Sequence, residues 1–374
     1  MKSQKKISRA YYIAEIDLPS YRAYTVHVLK MLDNLNYFFK NVVLVNFFMS
    51  SSYKYKKIKK EFCLRSKMLK IRPIFKYKKE NNFFFRFFFG FLSAACVPKY
   101  NSLIITRSFY SSFFLTLMKK KHFLEIHTSI SGLTKFIFLR LGFLKSKYII
   151  RTILITESLK NFYKKKINKC LVLPDAAEYK DFSPPIKIKT NIKNILYIGS
   201  FYEGRGIDLI EKIAKICKKY NFILVGNRSE LKTKSNSPGN IKFINHIKYC
   251  DVPNTIKKSD LLLMPYNPNY VQINSNNKSS ETSKFMSPLK MFEYLSSGIP
   301  LISSDIKVLR EILSHGYNSI LVKNYNAVSW AKTIISLDKN YKLRDKIRKN
   351  GIDTAKKFSW YERTKKIKNF YESL

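Results

Sequence analysis

Residues 287–300 carry the side chains of this sequence best suited to bind an anion next to a group rich in hydroxyls. Ser287 and Pro288 favour the start of a helix, because a serine side chain can accept a free backbone N–H and proline has no N–H to leave unpaired. The helix would present its other N–H groups and Lys290 to an anion. Glu293, three residues later, supplies a carboxylate. Together these groups have the chemistry needed to hold a sugar nucleotide, with the diphosphate on the cation and the ribose hydroxyls on the carboxylate.

The end of this segment and its periodicity also fit a simpler interpretation. Gly298 favours a left-handed turn that ends the helix, and Pro300 prevents its continuation. Lys290, Glu293 and Ser297 recur at spacings of three and four residues, which places them on one polar stripe. A solvated amphipathic helix with an incidental glutamate would show the same pattern. The segment alone therefore leaves both interpretations open.

Length and composition favour a globular protein of two domains with an unusually basic surface. The chain has 374 residues, and its 45% hydrophobic content excludes global disorder. A net charge of +45 would attract nucleotides, nucleic acid or an acidic bilayer surface. Only 14 of the 70 basic residues are arginine, however, and abundant Lys, Asn, Phe, Ile and Tyr are typical of AT-rich coding sequence. We therefore attribute part of the charge to mutational drift at solvent-exposed positions. A basic nucleic-acid-binding protein remains an alternative.

The cysteines and the most apolar segment indicate in which cellular compartment the protein is expected. The five cysteines show neither a Cys-x-x-Cys spacing nor a Cys/His pairing, which argues against a zinc site or a disulfide framework and fits a reducing cytoplasm. Residues 83–97 are too short to cross a bilayer and are interrupted by Arg86. We expect either a buried helix or an interfacial one that dips into lipid headgroups. The expected location is the cytoplasm, free or peripheral on the inner face of the cytoplasmic membrane, with an anionic membrane surface as a candidate partner.

Strands alternate with helices throughout the second half of the chain. Apolar runs predict strands at 194–198, 222–225, 241–244, 261–264 and from 301 onward, and Gly or Pro directly follows three of them. Helical periodicity is evident at 207–217 and around 252–258. Near-continuous apolar strands joined by helical crossovers predict a parallel sheet covered on both faces.

The sequence pattern of the first half also predicts an α/β structure, although this half is very rich in Phe and Lys. Predicted strands lie at 11–16, 42–48, 103–105 and 123–126, with a long helix at 23–35. Two prolines between Phe182 and Lys187 indicate a linker. The predicted domains are therefore an N-terminal Rossmann-like acceptor domain at 1–185, a C-terminal Rossmann-like donor domain at 186–357, and a helix at 358–374 that packs back toward the first domain. Residues 269–283 are predicted to form a polar loop beside the 287–300 segment.

Several catalytic motifs are absent from the sequence. There is no G-x-x-x-x-G-K-[ST] phosphate loop, no G-x-S-x-G elbow, no His-Glu-x-x-His helix and no Asp-x-Asp pair that would chelate a metal. The glycines around Arg205 lack the third glycine of a dinucleotide fingerprint. A diphosphate site in this chain would therefore use cations and backbone dipoles without a metal, and Arg205 and Lys290 are available for that.

The motifs of this sequence resemble those of glycosyltransferase family 4, whose members are retaining enzymes of the GT-B fold that use nucleotide-sugar donors. The most specific resemblance is the 287–300 segment, followed by Ser303-Ser304-Asp305 and Arg310-Glu311. Residues 197–208 look like the family's first C-domain strand and phosphate loop, and residues 259–266 are similar to its fifth-strand pattern. The resemblance implies an α/β fold of two Rossmann-like parallel-sheet domains facing a cleft.

The resemblance also implies roles for individual residues. Glu293 matches the glutamate that binds the ribose, Arg205 matches the basic residue on the donor diphosphate, and His127 matches a histidine that faces the donor sugar at the reacting centre. The donor-binding residues would then be Gly199, Arg205, Ser287, Leu289, Lys290 and Glu293, with His127 as the catalytic residue. On local evidence alone, a histidine at a strand end such as His127 is more often a hydrogen-bonded structural residue, and only the resemblance reverses that preference. Two positions depart from the family pattern: Phe285 replaces the first of two spaced glutamates, and Ser200 replaces a common arginine.

The implied function is transfer of a sugar, with retention, from a nucleotide-diphosphate-sugar to a cell-envelope glycan or lipid-linked acceptor. The resemblance implies no metal and no other cofactor, since the nucleotide sugar is a co-substrate. It also implies no specific nucleic-acid partner. A nucleotide-sugar 2-epimerase on the same fold stays open as a second enzymatic alternative.

Overall fold

The chain folds into two compact units, which are described separately. The computed structural model describes residues 7–80, 82–130, 132–182, 184, 187–231, 237–272 and 282–373. The first unit comprises Met1–Pro174 together with Trp360–Leu374, and the second unit comprises Asp175–Ser359.

The first unit is built on a parallel sheet of seven strands. In chain order the strands are β1 (Ile7–Leu18), β2 (Phe39–Met49), β3 (Lys70–Phe75), β4 (Leu103–Thr106), β5 (His122–Ile126), β6 (Ile149–Leu154) and β7 (Cys170–Val172). Their spatial order is β3-β2-β1-β4-β5-β6-β7, and every pairing is parallel. The connecting helices are α1 (Ala23–Leu35), α2 (Tyr55–Phe62), α3 (Phe83–Ala95), α4 (Phe109–Leu117), α5 (Gly132–Lys135) and α6 (Glu157–Tyr163). A π-helical turn at Phe136–Arg140 and a 3₁₀ turn at Phe143–Lys145 follow α5.

The second unit is built on a parallel sheet of six strands. The strands are β8 (Asn194–Ile198), β9 (Asn221–Val225), β10 (Ile241–Ile244), β11 (Leu261–Met264), β12 (Leu301–Ser304) and β13 (Ile320–Val322). Their spatial order is β10-β9-β8-β11-β12-β13, again with parallel pairings throughout. Its helices are α7 (Tyr179–Phe182), α8 (Ile207–Ile216), α9 (Val252–Lys257), α10 (Thr282–Phe285), α11 (Leu289–Ser297), α12 (Ala327–Lys339) and α13 (Tyr341–Lys357). Short 3₁₀ turns lie at Arg228–Glu230, Tyr249–Asp251 and Leu309–Glu311.

The last helix, α14 (Trp360–Glu372), returns to the first unit, where it packs against α1. Trp360 at its start is fully buried, and the Trp360 and His27 rings meet edge to face with their centroids 5.0 Å apart. The return of the chain therefore places α14 side chains inside the core of the first unit.

The predicted fold class of two parallel-sheet α/β domains is confirmed by the two sheets. Alternation of apolar strands with amphipathic helices was sufficient for this, because a parallel sheet needs a crossover between consecutive strands. The compact units divide after Pro174 and after Ser359. Residues 183, 185 and 186 of the predicted linker and residues 273–281 of the predicted loop lie outside the described residues.

The start of α11 differs from the prediction. Ser287 does not cap the helix, because its hydroxyl oxygen accepts a hydrogen bond from the backbone N–H of Asp175 at 3.0 Å. Pro288 occupies the capping position with an extended backbone, and α11 begins at Leu289 without a side-chain cap. The predicted end is confirmed: Gly298 adopts a left-handed conformation at φ 66°.

Helix α11 is buried along its length, which rules out the solvated-helix interpretation. Of its nine residues only Lys290 is half-exposed. The hydroxyl of Tyr294 accepts a hydrogen bond from the N–H of Ile198 at 2.9 Å, which joins α11 to the end of β8. Leu295 is 2% exposed and belongs to one of the two large apolar clusters of this unit. The position of the helix is therefore set by the core.

The apolar segment at 83–97 forms α3 within the first unit. Among the described residues, no helix combines the length and the apolar character needed to cross a membrane. The expectation of a buried helix is only half right, since Phe89 is buried while Phe84 is 59% exposed.

Leu295→Ala is expected to destabilise the second unit by about 2–4 kcal/mol, because the residual cavity adds to the lost burial of the side chain. Chemical denaturation followed by circular dichroism measures this change. Ile216→Ala removes a side chain that is 49% exposed and is the matched control, with an expected effect below about 0.5 kcal/mol. Equal effects of the two substitutions would contradict the packing described for α11.

Candidate functional site

The predicted site residues fall into two clusters, one in each unit. The donor cluster in the second unit comprises Gly199, Arg205, Lys290 and Glu293 with the tyrosines around them. The histidine cluster in the first unit comprises Tyr12, His27, Glu125, His127 and Arg363. Each cluster is described on its own.

Gly199 follows β8 and makes room for the side chain of Lys290. Its N–H donates to the carbonyl of Val225 at 2.9 Å, and its φ of 150° lies outside the range that other residues adopt easily. A Cβ at this position would lie 2.3 Å from Nζ of Lys290 and 2.9 Å from its Cε. Any larger residue would therefore displace the ammonium group.

The ammonium of Lys290 is a buried cation without a hydrogen-bond acceptor among the described residues. It lies 3.8 Å from the centroid of the Tyr197 ring and 5.6 Å from that of Tyr266. Burial and the nearby charge of Arg205 hold the pKa of Lys290 well below its ordinary value, while Glu293 acts in the opposite direction. A desolvated cation of this kind gains strongly from a bound anion.

Arg205 lies in the loop between β8 and α8 and is oriented by two contacts. Its Nε donates to the carbonyl of Gln272 at 3.1 Å, and its Nη1 donates to the hydroxyl of Tyr266 at 3.4 Å. The guanidinium carbon is 5.3 Å from the Tyr266 ring centroid. Since Nζ of Lys290 lies 5.6 Å from the centroid of the same ring, the structure brings the two predicted diphosphate-binding cations to one aromatic side chain.

Glu293 lies in the second turn of α11 and is 7% exposed. Its carboxylate accepts a hydrogen bond from the phenol of Tyr249, and burial together with this carboxylate raises the pKa of Tyr249 well above its ordinary value. Tyr249 was not predicted as a site residue, since it lies 44 positions before Glu293 in a short 3₁₀ turn. No sequence motif around Tyr249 indicated that it would lie in the site.

The donor cluster has the groups needed for a nucleoside diphosphate. Two cations, and the N–H groups at the start of α11 near Leu289, suit a diphosphate, because an uncapped helix start favours negative charge. A buried carboxylate in the second turn suits hydroxyl groups that donate hydrogen bonds. Ser287 is held by Asp175, so its hydroxyl has a structural contact in this state.

In the histidine cluster, one buried carboxylate gathers side chains from four elements. Oε1 of Glu125 lies 2.7 Å from Nε2 of His127, 2.8 Å from Nε2 of His27 and 3.0 Å from Nη2 of Arg363. Oε2 accepts a hydrogen bond from the hydroxyl of Tyr12 at 2.7 Å. The donors come from β1, α1, the end of β5 and α14, so the carboxylate joins distant parts of the chain.

The charges of this cluster are set by Glu125 and Arg363. Burial by itself would raise the pKa of Glu125, but the Arg363 guanidinium and the hydrogen bond from His127 hold it well below the ordinary value. Burial, followed by the charge of Arg107, lowers the pKa of His127 to about 4. His127 is therefore neutral near pH 7, and because Glu125 accepts from Nε2, the hydrogen lies on Nε2 and the lone pair on Nδ1.

His27, Glu125 and His127 are residue types that bind metals, and their ligand atoms lie within 4.8 Å of one another. The carboxylate, however, already accepts from Tyr12 and is paired with Arg363. A metal ion would have to compete with a guanidinium held in place by the carbonyls of Pro174 and Leu173 at 2.9 and 3.1 Å. The donor set therefore fits an arginine better than a metal ion.

Of this cluster, the sequence predicted His127 and did not point to Arg363. One signal was available for Arg363, namely its position in an amphipathic helix where nearly every other cation is lysine. Arginine is preferred for buried pairs because its planar guanidinium contacts several acceptors at once.

The low pKa of His127 predicts acid sensitivity of the first unit. Between the ordinary value of 6.5 and the folded value of about 4, the unfolded chain binds a proton that the folded chain does not. Stability is therefore lost as the pH falls through this window, by about 1–2 kcal/mol from this residue between pH 7 and pH 5. Urea denaturation of the wild type and His127→Gln at both pH values measures the difference. His122, whose pKa is also about 4, is common to both proteins and serves as internal control; an unchanged pH dependence in the variant would refute the assignment.

Comparison with known proteins finds a family match within the second unit. Residues 179–354 match the model of the glycosyl transferases group 1 family. An uncharacterized glycosyltransferase of Methanocaldococcus jannaschii is 26% identical over 185 residues, which is 48% of this chain and 48% of that protein. A phosphatidyl-myo-inositol mannosyltransferase of Mycobacterium leprae is 20% identical over 190 residues, 49% of this chain and 47% of that protein. The chain thus spans about half the length of the curated relatives it matches.

Solved structures extend the likeness of the fold to both units. The Anabaena protein HepE, crystallised with UDP-glucose, superposes with a TM-score of 0.69 at 11% identity, over 98% of this chain and 100% of that one. At this identity the likeness concerns the fold alone. The comparisons therefore show a match to the glycosyl transferases group 1 family within residues 179–354, and a likeness of fold over nearly the whole chain.

Proposed function

We propose that the protein transfers a sugar, with retention of configuration and without a metal, from a nucleotide-diphosphate-sugar to a cell-envelope glycan or lipid-linked acceptor. The observation that carries this proposal is the ammonium of Lys290. It is buried against Tyr197 and Tyr266 with no acceptor among the described residues, and it lies near a second cation, Arg205. Such an arrangement is unfavourable until an anion binds, and a nucleoside diphosphate supplies that anion.

The same cations serve the chemical step. The bond from the anomeric carbon to the diphosphate breaks, the bond to an acceptor hydroxyl forms, and the hydroxyl proton passes to an oxygen of the leaving diphosphate. Negative charge grows on the leaving oxygens while the sugar becomes oxocarbenium-like. Lys290, Arg205 and the N–H groups near Leu289 stabilise that charge because they are already oriented before the reaction.

Glu293 is assigned to the ribose of the donor. Its carboxylate already accepts a hydrogen bond from the Tyr249 hydroxyl, which supports a role in binding hydroxyl donors. Ribose hydroxyls would add to or replace that bond. Tyr249 then lies beside the nucleoside and becomes a candidate contact for it.

His127 is assigned to the donor sugar. The ring is neutral near pH 7, its Nε2–H is taken by Glu125, and its side chain is 20% exposed. Nδ1 is therefore left to accept a hydrogen bond from a sugar hydroxyl. In this role His127 positions and polarises the sugar, and the acceptor proton goes to the leaving group.

The nucleotide and the acceptor are supported by the related proteins. HepE was crystallised with UDP-glucose, which makes a uridine donor the first to test. The Mycobacterium leprae relative is a phosphatidyl-myo-inositol mannosyltransferase by name, which favours a lipid-linked acceptor for this chain as well.

Lys290→Met is expected to weaken binding of the matching nucleoside diphosphate about 10- to 100-fold, since a hydrogen bond to a charged group contributes about 1.5–3 kcal/mol. A thermal-shift panel of UDP, GDP and ADP identifies the nucleotide, because a true ligand stabilises by mass action. Isothermal titration calorimetry then gives Kd for both proteins.

Lys215→Met is the matched control for Lys290→Met, because Lys215 is an exposed lysine of helix α8. Its Kd should equal that of the wild type. Equal weakening by both substitutions would mean that the nucleotide binds the basic surface as a whole, and the proposed donor site would be abandoned.

The transfer reaction is expected to keep its rate in EDTA and to retain the configuration of the anomeric carbon. The physical reason is that two protein cations and a helix start neutralise the leaving diphosphate. Product formation with and without EDTA measures the first point, and the anomeric proton coupling in the NMR spectrum of the product measures the second. Loss of turnover in EDTA that Mg²⁺ restores, or an inverted product, would contradict the proposed chemistry.

A further inference from the structure

Helix α3 exposes large aromatic side chains along one face, here called the aromatic face. Its members are Phe83, Phe84, Phe87, Phe88 and Phe91, which are between 38% and 59% exposed. From the packing and charge around it, we infer that the aromatic face docks the protein on the surface of an anionic lipid bilayer. The inference concerns a surface remote in sequence from the donor cluster and does not depend on the proposed reaction.

The packing of α3 is the reverse of what a helix in a globular core shows. Gly90, Ser93 and Ala94 are buried together with Phe89, and Phe85 is half-buried against the core, while the five phenylalanines of the aromatic face are exposed. Gly90 packs so closely that a Cβ there would lie 2.6 Å from Cβ of Tyr110. The small residues therefore fix the helix to α4, and the phenylalanines are left for something outside the unit.

The apolar surface continues beyond α3. A groove between α3, α4 and the π-helical turn is lined almost entirely by apolar side chains: Phe83, Phe87, Tyr110, Phe113, Ile137 and Phe138. Next to it, Phe136 is 53% exposed and Leu141 is 65% exposed. The exposed apolar surface thus extends over two neighbouring elements, α3 and the π-helical turn. It is more extensive than the single, scattered apolar residues of an ordinary protein surface.

The charge around this surface indicates which kind of partner binds it. Residues 76–147, which contain every element of the apolar surface, hold thirteen Lys and Arg residues against Glu80 and Glu125. Glu125 is buried, and Lys119, Lys121 and Lys135 are exposed. A second copy of this chain would bring the same positive charge against itself. Anionic headgroups match both the charge and the aromatic side chains, since interfacial helices combine apolar insertion with lysine contacts.

Vesicle co-sedimentation tests the inference with the full chain and no nucleotide. Wild-type protein is expected to bind vesicles of phosphatidylcholine containing about 30% phosphatidylglycerol, and to bind pure phosphatidylcholine at least about 10-fold more weakly. The double substitution Phe84→Ser/Phe88→Ser should reduce binding to anionic vesicles about 10-fold or more. Its matched control is Ile216→Ser/Val328→Ser, which removes two equally exposed apolar side chains from the second unit and should bind as the wild type does.

A third variant keeps the test valid if the phenylalanine variant unfolds, which circular dichroism would show. Lys119→Glu/Lys121→Glu leaves the aromatic face intact and should also weaken binding to anionic vesicles. Wild-type binding by both double variants, or no binding of the wild type to anionic vesicles, overturns the inference. Sedimentation equilibrium without lipid provides a further check: a wild-type dimer that the phenylalanine variant converts to a monomer would assign the aromatic face to self-association instead.

Discussion

The first unit depends on the burial of one negative charge. Glu125 is 1% exposed, and a carboxylate in that position is strongly unfavourable unless cations and hydrogen-bond donors surround it. Tyr12, His127 and Arg363 supply that surrounding, and each comes from a different element. Removing any one of these partners would leave the charge of Glu125 without full compensation. The burial of this charge therefore fixes the positions of the elements that carry the partners. The orientation of His127 is thus a consequence of the same requirement.

The second unit shows the opposite arrangement. There the buried charge is the ammonium of Lys290, and the described residues offer it aromatic faces and no acceptor. Nearby Arg205 makes the local potential more positive. One cluster is therefore internally neutralised and rigid, while the other is incomplete without an anion. In an enzyme these are the properties expected of a positioning group and of a substrate-binding group.

The sequence contained enough information for the sheets but only part of the site. Strands such as β8 and β11 were predicted to the residue, because a run of apolar residues ended by Gly or Pro has few other interpretations. Lys290 and Glu293 were identified because both lie in one short helix. Tyr249 and Arg363 were missed, since their partners are 44 and 238 positions away and such pairs are created by the tertiary fold. Ser287 was misassigned as a cap because Asp175, far earlier in the chain, competes for its hydroxyl.

The return of α14 to the first unit has a consequence for synthesis. Glu125 precedes its arginine partner by 238 positions, and the whole second unit lies between them in the chain. While the ribosome is still translating the second unit, Glu125 has no guanidinium from α14 beside it, and the protonated carboxyl or an open, hydrated site is favoured. The first unit therefore reaches its final form only after the second unit has been translated and α14 has followed it. The completion of this cluster, and with it the position of His127, is thus coupled to the synthesis of both units.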